Sequence, residues 1–136
     1  SLPQSSRNDP TLYYLALSNE LITPKILACT ADAERSKAAE FSGLSRTNIS
    51  YFIGLDAHST NFQDILSGDR NITGGDVNQS ILTFRTNTNQ AGWDKSIHNR
   101  LGNVGLADGS AQQLTAQGLN KQLQAMSNEN VRFLIP

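Results

Sequence analysis

The sequence predicts an α+β domain on an antiparallel sheet of about four strands, flanked by a helix near each end. Three observations carry that expectation. Ile49, Tyr51, Ile53 and Leu55 alternate with smaller residues, apart from Phe52, in a stretch of β-branched and aromatic types. Asp108-Gly109 separates two short strand-like runs, as a hairpin turn does. Leu119, Leu123 and Met126 then recur at helical spacing behind Thr115.

The chain of 136 residues is the size of one domain with one core. Eleven Lys and Arg against 12 Asp and Glu leave a formal charge of -1, with no basic run, which argues against a nucleic-acid platform. Cys29 is the sole cysteine, so an internal disulfide and a Cys-based zinc site are both excluded. Thirteen asparagines favour turns over long regular elements. No apolar stretch approaches the ~20 residues that span a bilayer. The chain starts with Ser, which reads as a fragment or a processed product.

Taken in order, residues 1 to 9 read as an arm or cloning scar, and 10 to 136 as the single domain. Asp9 as N-cap and Pro10 at the first helical position open a helix over residues 10 to 21, with Leu12, Leu15, Ala16, Asn19 and Ile22 on one face. Pro24 stops it. Lys25 to Cys29 reads as extended, and residues 30 to 48 as a solvated loop. Strands follow at 49–55, 65–68 and 81–86, the last two separated by a turn-rich loop, Asn71 to Asn78, containing Gly74-Gly75. A polar loop carries Trp93. Gly102–Ala107 and Ser110–Leu114 then form the hairpin, and a two-residue turn would pair Leu106 with Ala111, placing both with Val104 on one face. Thr115 caps a helix over 116–127, with Leu114 and Leu119 set for a hydrophobic staple. Val131 to Ile135 is a last extended run.

The chemistry-bearing residues are sparse. His58 and His98 are the only histidines, and neither has zinc-ligand spacing. The nucleophile pattern G-x-S-x-G is absent, and Cys29 lies in an apolar run, where a thiol is usually inert. Asp69, Asn71 and Thr73 occupy positions 1, 3 and 5 of a calcium-loop pattern with Gly74 at 6, but Ser80 stands where the bidentate Glu belongs. Three glycosylation sequons, at Asn48, Asn71 and Asn78, read as chance in so Asn-rich a chain. No cofactor signature is present.

One stretch stands apart: His98-Asn-Arg-Leu-Gly-Asn-Val-Gly-Leu-Ala-Asp108-Gly109-Ser110. This His, nine residues, then Asp-Gly resembles the prepilin-type processing-associated H-X9-DG domain, found in pilin-like and pseudopilin-like proteins of planctomycete- and verrucomicrobia-type bacteria. Ile26 to Asp32 is similar to that family's apolar run into C-P-x-D, with Thr30 in place of Pro. Asn48 to Leu55 and Ile65 to Asn71 look like its central strands. The resemblance covers about residues 24 to 115. It implies a pilin-like head whose long apolar N-terminal helix lies upstream, with residues 10 to 21 as its successor or a separate helix. It implies no reaction. The partners it implies are other pilin-like subunits, the secretion machinery and, through that helix, the inner membrane. The head would stand on the periplasmic side.

Within that reading His98, Asp108 and Gly109 form a structural motif: Gly109 supplies positive φ, and His98 folds back towards the hairpin, to Asp108 itself, pinning the Trp93 loop. Two rivals stand beside it. One is a calcium- or glycan-binding module built from the loops around 56 to 78 and Trp93. The other is a hydrolase using His98 or His58.

Overall fold

The computed structural model describes residues 8–126 and 128–136; most of the expected N-terminal arm, residues 1–7, and the last residue of the expected C-terminal helix lie outside the described residues. In chain order come α1 (Pro10–Ala16), α2 (Ser18–Leu21), β1 (Tyr51–Gly54), β2 (Ile65–Asp69), β3 (Ile72–Thr73), β4 (Asp76–Asn78), β5 (Ile81–Arg85), β6 (Gly92–Trp93), β7 (Gly102–Leu106), β8 (Ala111–Leu114), α3 (Ala116–Gln124) and β9 (Asn130–Leu134). Seven strands make one sheet in the order β4-β5-β9-β1-β2-β7-β8, and β3 pairs with β6 in a separate ribbon. Every pairing is antiparallel.

This corrects the expected pilin-like head with a sheet of about four strands. The sheet has seven, and the helices are few and short, α3 being the longest at nine residues. The expected helix over residues 10 to 21 breaks at Leu17 (φ -99°, ψ 11°) into pieces of seven and four residues. Lys25 to Cys29 is not extended at its start: Thr23 caps a 3₁₀ turn over Pro24–Leu27. Two strands, β3 and β4, lie inside what reads as a turn-rich loop, because two- and three-residue strands carry no measurable period. The C-terminal run is no appendage. As β9 it sits between β1 and β5, joining the two halves of the sheet.

The alternation that marks β1 acquires a meaning here. Tyr51 and Ile53 face a layer made by residues 14 to 49, packing with buried Tyr14, Leu27, Ala38, Leu44 and Ile49. Phe52, the exception to the pattern, faces the principal core on the opposite side, its ring 4.5 Å from that of Phe133. A strand covered on both faces loses strict polar alternation. The principal core lies under α3 and the β3–β6 ribbon, with Leu119, Leu123, Met126, Ile72 and Trp93 against Phe52, Ile65, Phe84, Val104, Leu106 and Val131. Fully buried Leu119 and Leu123 each contribute about 1.5–3 kcal/mol of apolar burial. Thr115 caps α3 as its sequence predicts, accepting the Gly118 N–H at 3.1 Å.

The hairpin differs by one residue from expectation. Leu106 N–H donates to Ser110 and Gly105 stands opposite Ala111, so the loop is the three residues Ala107-Asp108-Gly109. Gly109, with φ +86°, takes the left-handed third position that such loops require. The slip turns Ala111 to the solvent face, away from Leu106 and Val104.

Candidate functional site

Four of the residues singled out along the chain, Cys29, Asp69, Asn71 and His98, meet where the ends of β1, β2 and β7 adjoin the loop before β7. That loop holds an unusual backbone: His98, Asn99 and Arg100 have φ of 51°, 50° and 67°, three successive non-glycine residues in the left-handed region. Each costs on the order of 1 kcal/mol, so such a turn persists only where its surroundings over-determine it. Asn71 does so. Its side chain is 1% exposed and its Nδ2 donates to the carbonyls of Asp94, Ile97 and Leu101 at 3.0, 2.9 and 3.1 Å. Its backbone carbonyl accepts from Asp94 N–H at 2.9 Å. Ile97, 1% exposed, anchors the loop's apolar side.

On this loop His98 turns inward, its side chain 24% exposed, with Nε2 3.5 Å from Oδ2 of Asp69 and 3.6 Å from Sγ of Cys29. Asp69 ends β2 and is buried. Its Oδ2 also accepts the backbone N–H of Asn103 at 2.7 Å and that residue's Nδ2 at 3.1 Å. Burial raises the Asp69 carboxyl above its ordinary range, an effect only partly offset by Asn103 and His98. Tyr51, paired across the ladder with Asp69, is pushed up to about 12 by burial and by the neighbouring Cys29 and Asp69. Cys29 is itself fixed, its N–H donating to Ser50 Oγ at 2.8 Å.

The next residue after Asp69 completes the cluster. Arg70 grips Asp32 with a two-pronged bond, Nε to Oδ2 at 2.7 Å and Nη2 to Oδ1 at 2.5 Å, and also reaches Glu34 at 3.2 Å. Burial alone would raise the Asp32 carboxyl. The bonds from Arg70 and Ser50 outweigh it and hold the group below the usual carboxylate range. Cys29 and Asp32 belong to one of the stretches that resemble the H-X9-DG family, Tyr51 to a second, Asp69 to Asn71 to a third and His98 to a fourth. The fold brings all four together.

It does not bring His98 to Asp108. The Asp108 carboxylate bonds instead to Ser110, through N–H at 2.8 Å and Oγ at 2.6 Å, and those bonds lower its pKa. The physical reason is the length of β7: Asp108 is exposed in the three-residue loop beyond its far end and closes its own turn, while Asn71 and Asp69 hold the His98 loop at its start. The expected His98–Asp108 latch is thus replaced by a His98–Asp69 contact, and Trp93 is held in the β3–β6 ribbon. Trp93 pairs with Ile72 in the ribbon and covers Gly102, where a Cβ would lie 2.3 Å from its ring.

The candidate calcium ligands are not assembled either. Asp69 faces His98 and Asn103, Asn71 clamps the loop, and Thr73 is exposed on β3. Among the described residues no group of three or more His, Cys, Asp or Glu is placed to hold a metal ion. Trp93 is 5% exposed, so it offers no stacking platform to a glycan. His58 is exposed and leans on buried Asp64 at 3.4 Å, which closes the 58–64 loop by accepting His58 N–H and Asn61 Nδ2. For a hydrolase, Cys29 and Asp69 both approach His98 at the same nitrogen, Nε2. A base oriented through its other nitrogen would need them on opposite sides of the ring.

Asn103 and the clamp role of Asn71 are invisible to motif reading. The usable signal was the polar run Asp69-Arg70-Asn71 directly after Ile65-Leu66-Ser67-Gly68 and before Ile72, since buried polar residues inside an apolar stretch are held by internal bonds. Among the described residues no helix is long and apolar enough to cross a membrane. No family model, curated protein or solved structure matches the chain.

Proposed function

We propose that this chain is a non-enzymatic structural subunit of a pseudopilin-type or type IV pilus-related assembly in the cell envelope. Its partners in that reading are other subunits of the same kind and the secretion machinery. A segment upstream of Ser1 tethers it to the inner membrane with the described domain on the periplasmic side. The type of assembly rests on the His98 to Gly109 resemblance. What supports a structural role is that these polar groups turn to partners within the fold: His98 to Asp69 and Cys29, Asp69 to Asn103, the Asn71 Nδ2 to three carbonyls, Asp108 to Ser110, with the buried Asn71 Oδ1 left without a partner among the described residues. Surface clefts of about 320, 370 and 480 Å³ among the described residues are lined by other residues, such as Asn120, Glu129 and Val77.

The test is on the full gene product in its host. Mass spectrometry of the mature N-terminus should show a trimmed, methylated apolar start, and in-cell cross-linking should join it to pilin-like subunits in the membrane fraction. An unprocessed protein that cross-links to none of them would overturn the reading.

A further inference from the structure

The fold separates the three Asn-x-Ser/Thr sequons sharply. Asn48 is buried, its Nδ2 donating to Ser36 O at 2.9 Å and its Oδ1 accepting Ser45 N–H at 3.0 Å. Asn71 is the loop clamp described above, with its amide nitrogen on three carbonyls. Asn78 is different. It is exposed, ends the three-residue edge strand β4, and its carboxamide makes no hydrogen bond among the described residues. We propose that Asn78 is an acceptor for N-linked glycosylation, the ligand being a lipid-pyrophosphate-linked oligosaccharide met outside the cytoplasmic membrane.

Three features make this acceptor usable. β4 is exposed at all three residues and pairs on one side only, with β5, so it can peel from the sheet without opening the core. The turn that follows puts Gln79 and Ser80 at φ 49° and 69°, a left-handed pair without glycine that favours fraying at this point. Asp76 lies two residues before Asn78, on the same face of the strand, and gives a cationic transferase cleft an anionic handle beside the acceptor. Ser80 supplies the sequon hydroxyl; it is half-buried, its Oγ accepting from Arg46 at 2.7 Å and its carbonyl accepting the Ile135 N–H at 2.8 Å, two bonds that opening of the turn releases.

The chemistry balances with the donor named. The Asn78 carboxamide nitrogen forms a bond to the anomeric carbon of the sugar. The bond from that carbon to the pyrophosphate oxygen breaks, the lipid pyrophosphate departs, and the amide nitrogen loses one proton to a base on the transferase. The location of the donor rests on the envelope reading above, but the site does not.

The test co-expresses the full gene product, exported to a bacterial periplasm, with an oligosaccharyltransferase that reads an acidic residue two places before its asparagine, and its lipid-linked donor. Peptide mass mapping should find the glycan increment on the peptide holding Asn78 and not on those holding Asn48 or Asn71. Exposed Asn78→Gln and half-buried Ser80→Ala should each lose the increment entirely while the domain stays folded by circular dichroism, and Asp76→Asn should lower occupancy. An unmodified Asn78 beside a modified control acceptor in the same cells would overturn the proposal, as would equal occupancy of Asn48 and Asn71. The readout is independent of filament assembly, so it fails or succeeds separately from the functional reading.

Discussion

The Nε2 nitrogen of His98 lies 3.5 Å from Oδ2 of Asp69, the carboxylate oxygen that also takes the backbone N–H of Asn103, the second residue of β7. A side chain on a left-handed loop is thereby tied to the end of one strand through an acid already bound to the next. The consequence is mechanical: β2, β7 and the loop before β7 move as one body.

Asn71 is the strongest part of that body. Asn71→Leu keeps the volume near its own but takes away the two amide hydrogens shared by the buried Ile97 carbonyl and the part-buried carbonyls of Asp94 and Leu101, so it should cost about 2 kcal/mol, at roughly 1 kcal/mol per lost bond. Urea unfolding measures it. Calcium should leave the midpoint of wild type and variant unchanged.

The Asp32–Arg70 pair sets the acid sensitivity. Asp32 has its pKa lowered in the fold, so its stabilisation is fully present above its unfolded value and is lost as pH falls through the lower folded one. Asp32→Asn should therefore be less stable by about 3 kcal/mol at neutral pH, because it leaves a mostly buried guanidinium with Glu34 alone. That gap should close as pH drops below about 3.9. Asp69 carries the opposite sign. Its raised pKa means the stabilisation is present below the unfolded value and is lost as pH rises through the folded one. Thermal unfolding of Asp32→Asn and Asp69→Asn from pH 2 to 8 separates the two.

Three glycines within one hairpin should rank clearly. A Cβ at Gly102 would lie 2.3 Å from the Trp93 ring, so Gly102→Ala should cost about 2–3 kcal/mol or more by overpacking. Gly109→Ala meets open space but must hold φ +86°, costing about 1 kcal/mol. Gly105→Ala meets nothing within 4 Å in an ordinary strand and should be neutral or stabilising by about 0.5 kcal/mol. Melting temperatures in that order check the hairpin register, since a two-residue turn would exchange which strand position is covered.

What the sequence revealed follows from the length scale of each signal. The caps at Asp9 and Thr115, the strand around Phe52 and the hairpin were legible because a cap or a turn is a local contact between residues near in sequence. The sheet's size was not. β4 carries only Asp76, Val77 and Asn78, and β3 only two residues, so neither repeats a period long enough to see. The site was half legible. His98 was marked by the motif, but its partner was assigned to Asp108 from spacing along the chain, whereas Asp69 reaches it only through the β2–β7 pairing. Spacing predicts contacts inside an element, and sheet pairing decides the rest.

The account depends most on His98 and Asp69 bracing each other, and a double-mutant cycle reads that directly. Urea unfolding of wild type, His98→Ala, Asp69→Asn and the double variant should give a coupling of about 0.5–1.5 kcal/mol, the range expected of residues in contact. Costs that add to within about 0.3 kcal/mol would show two independent side chains and contradict it.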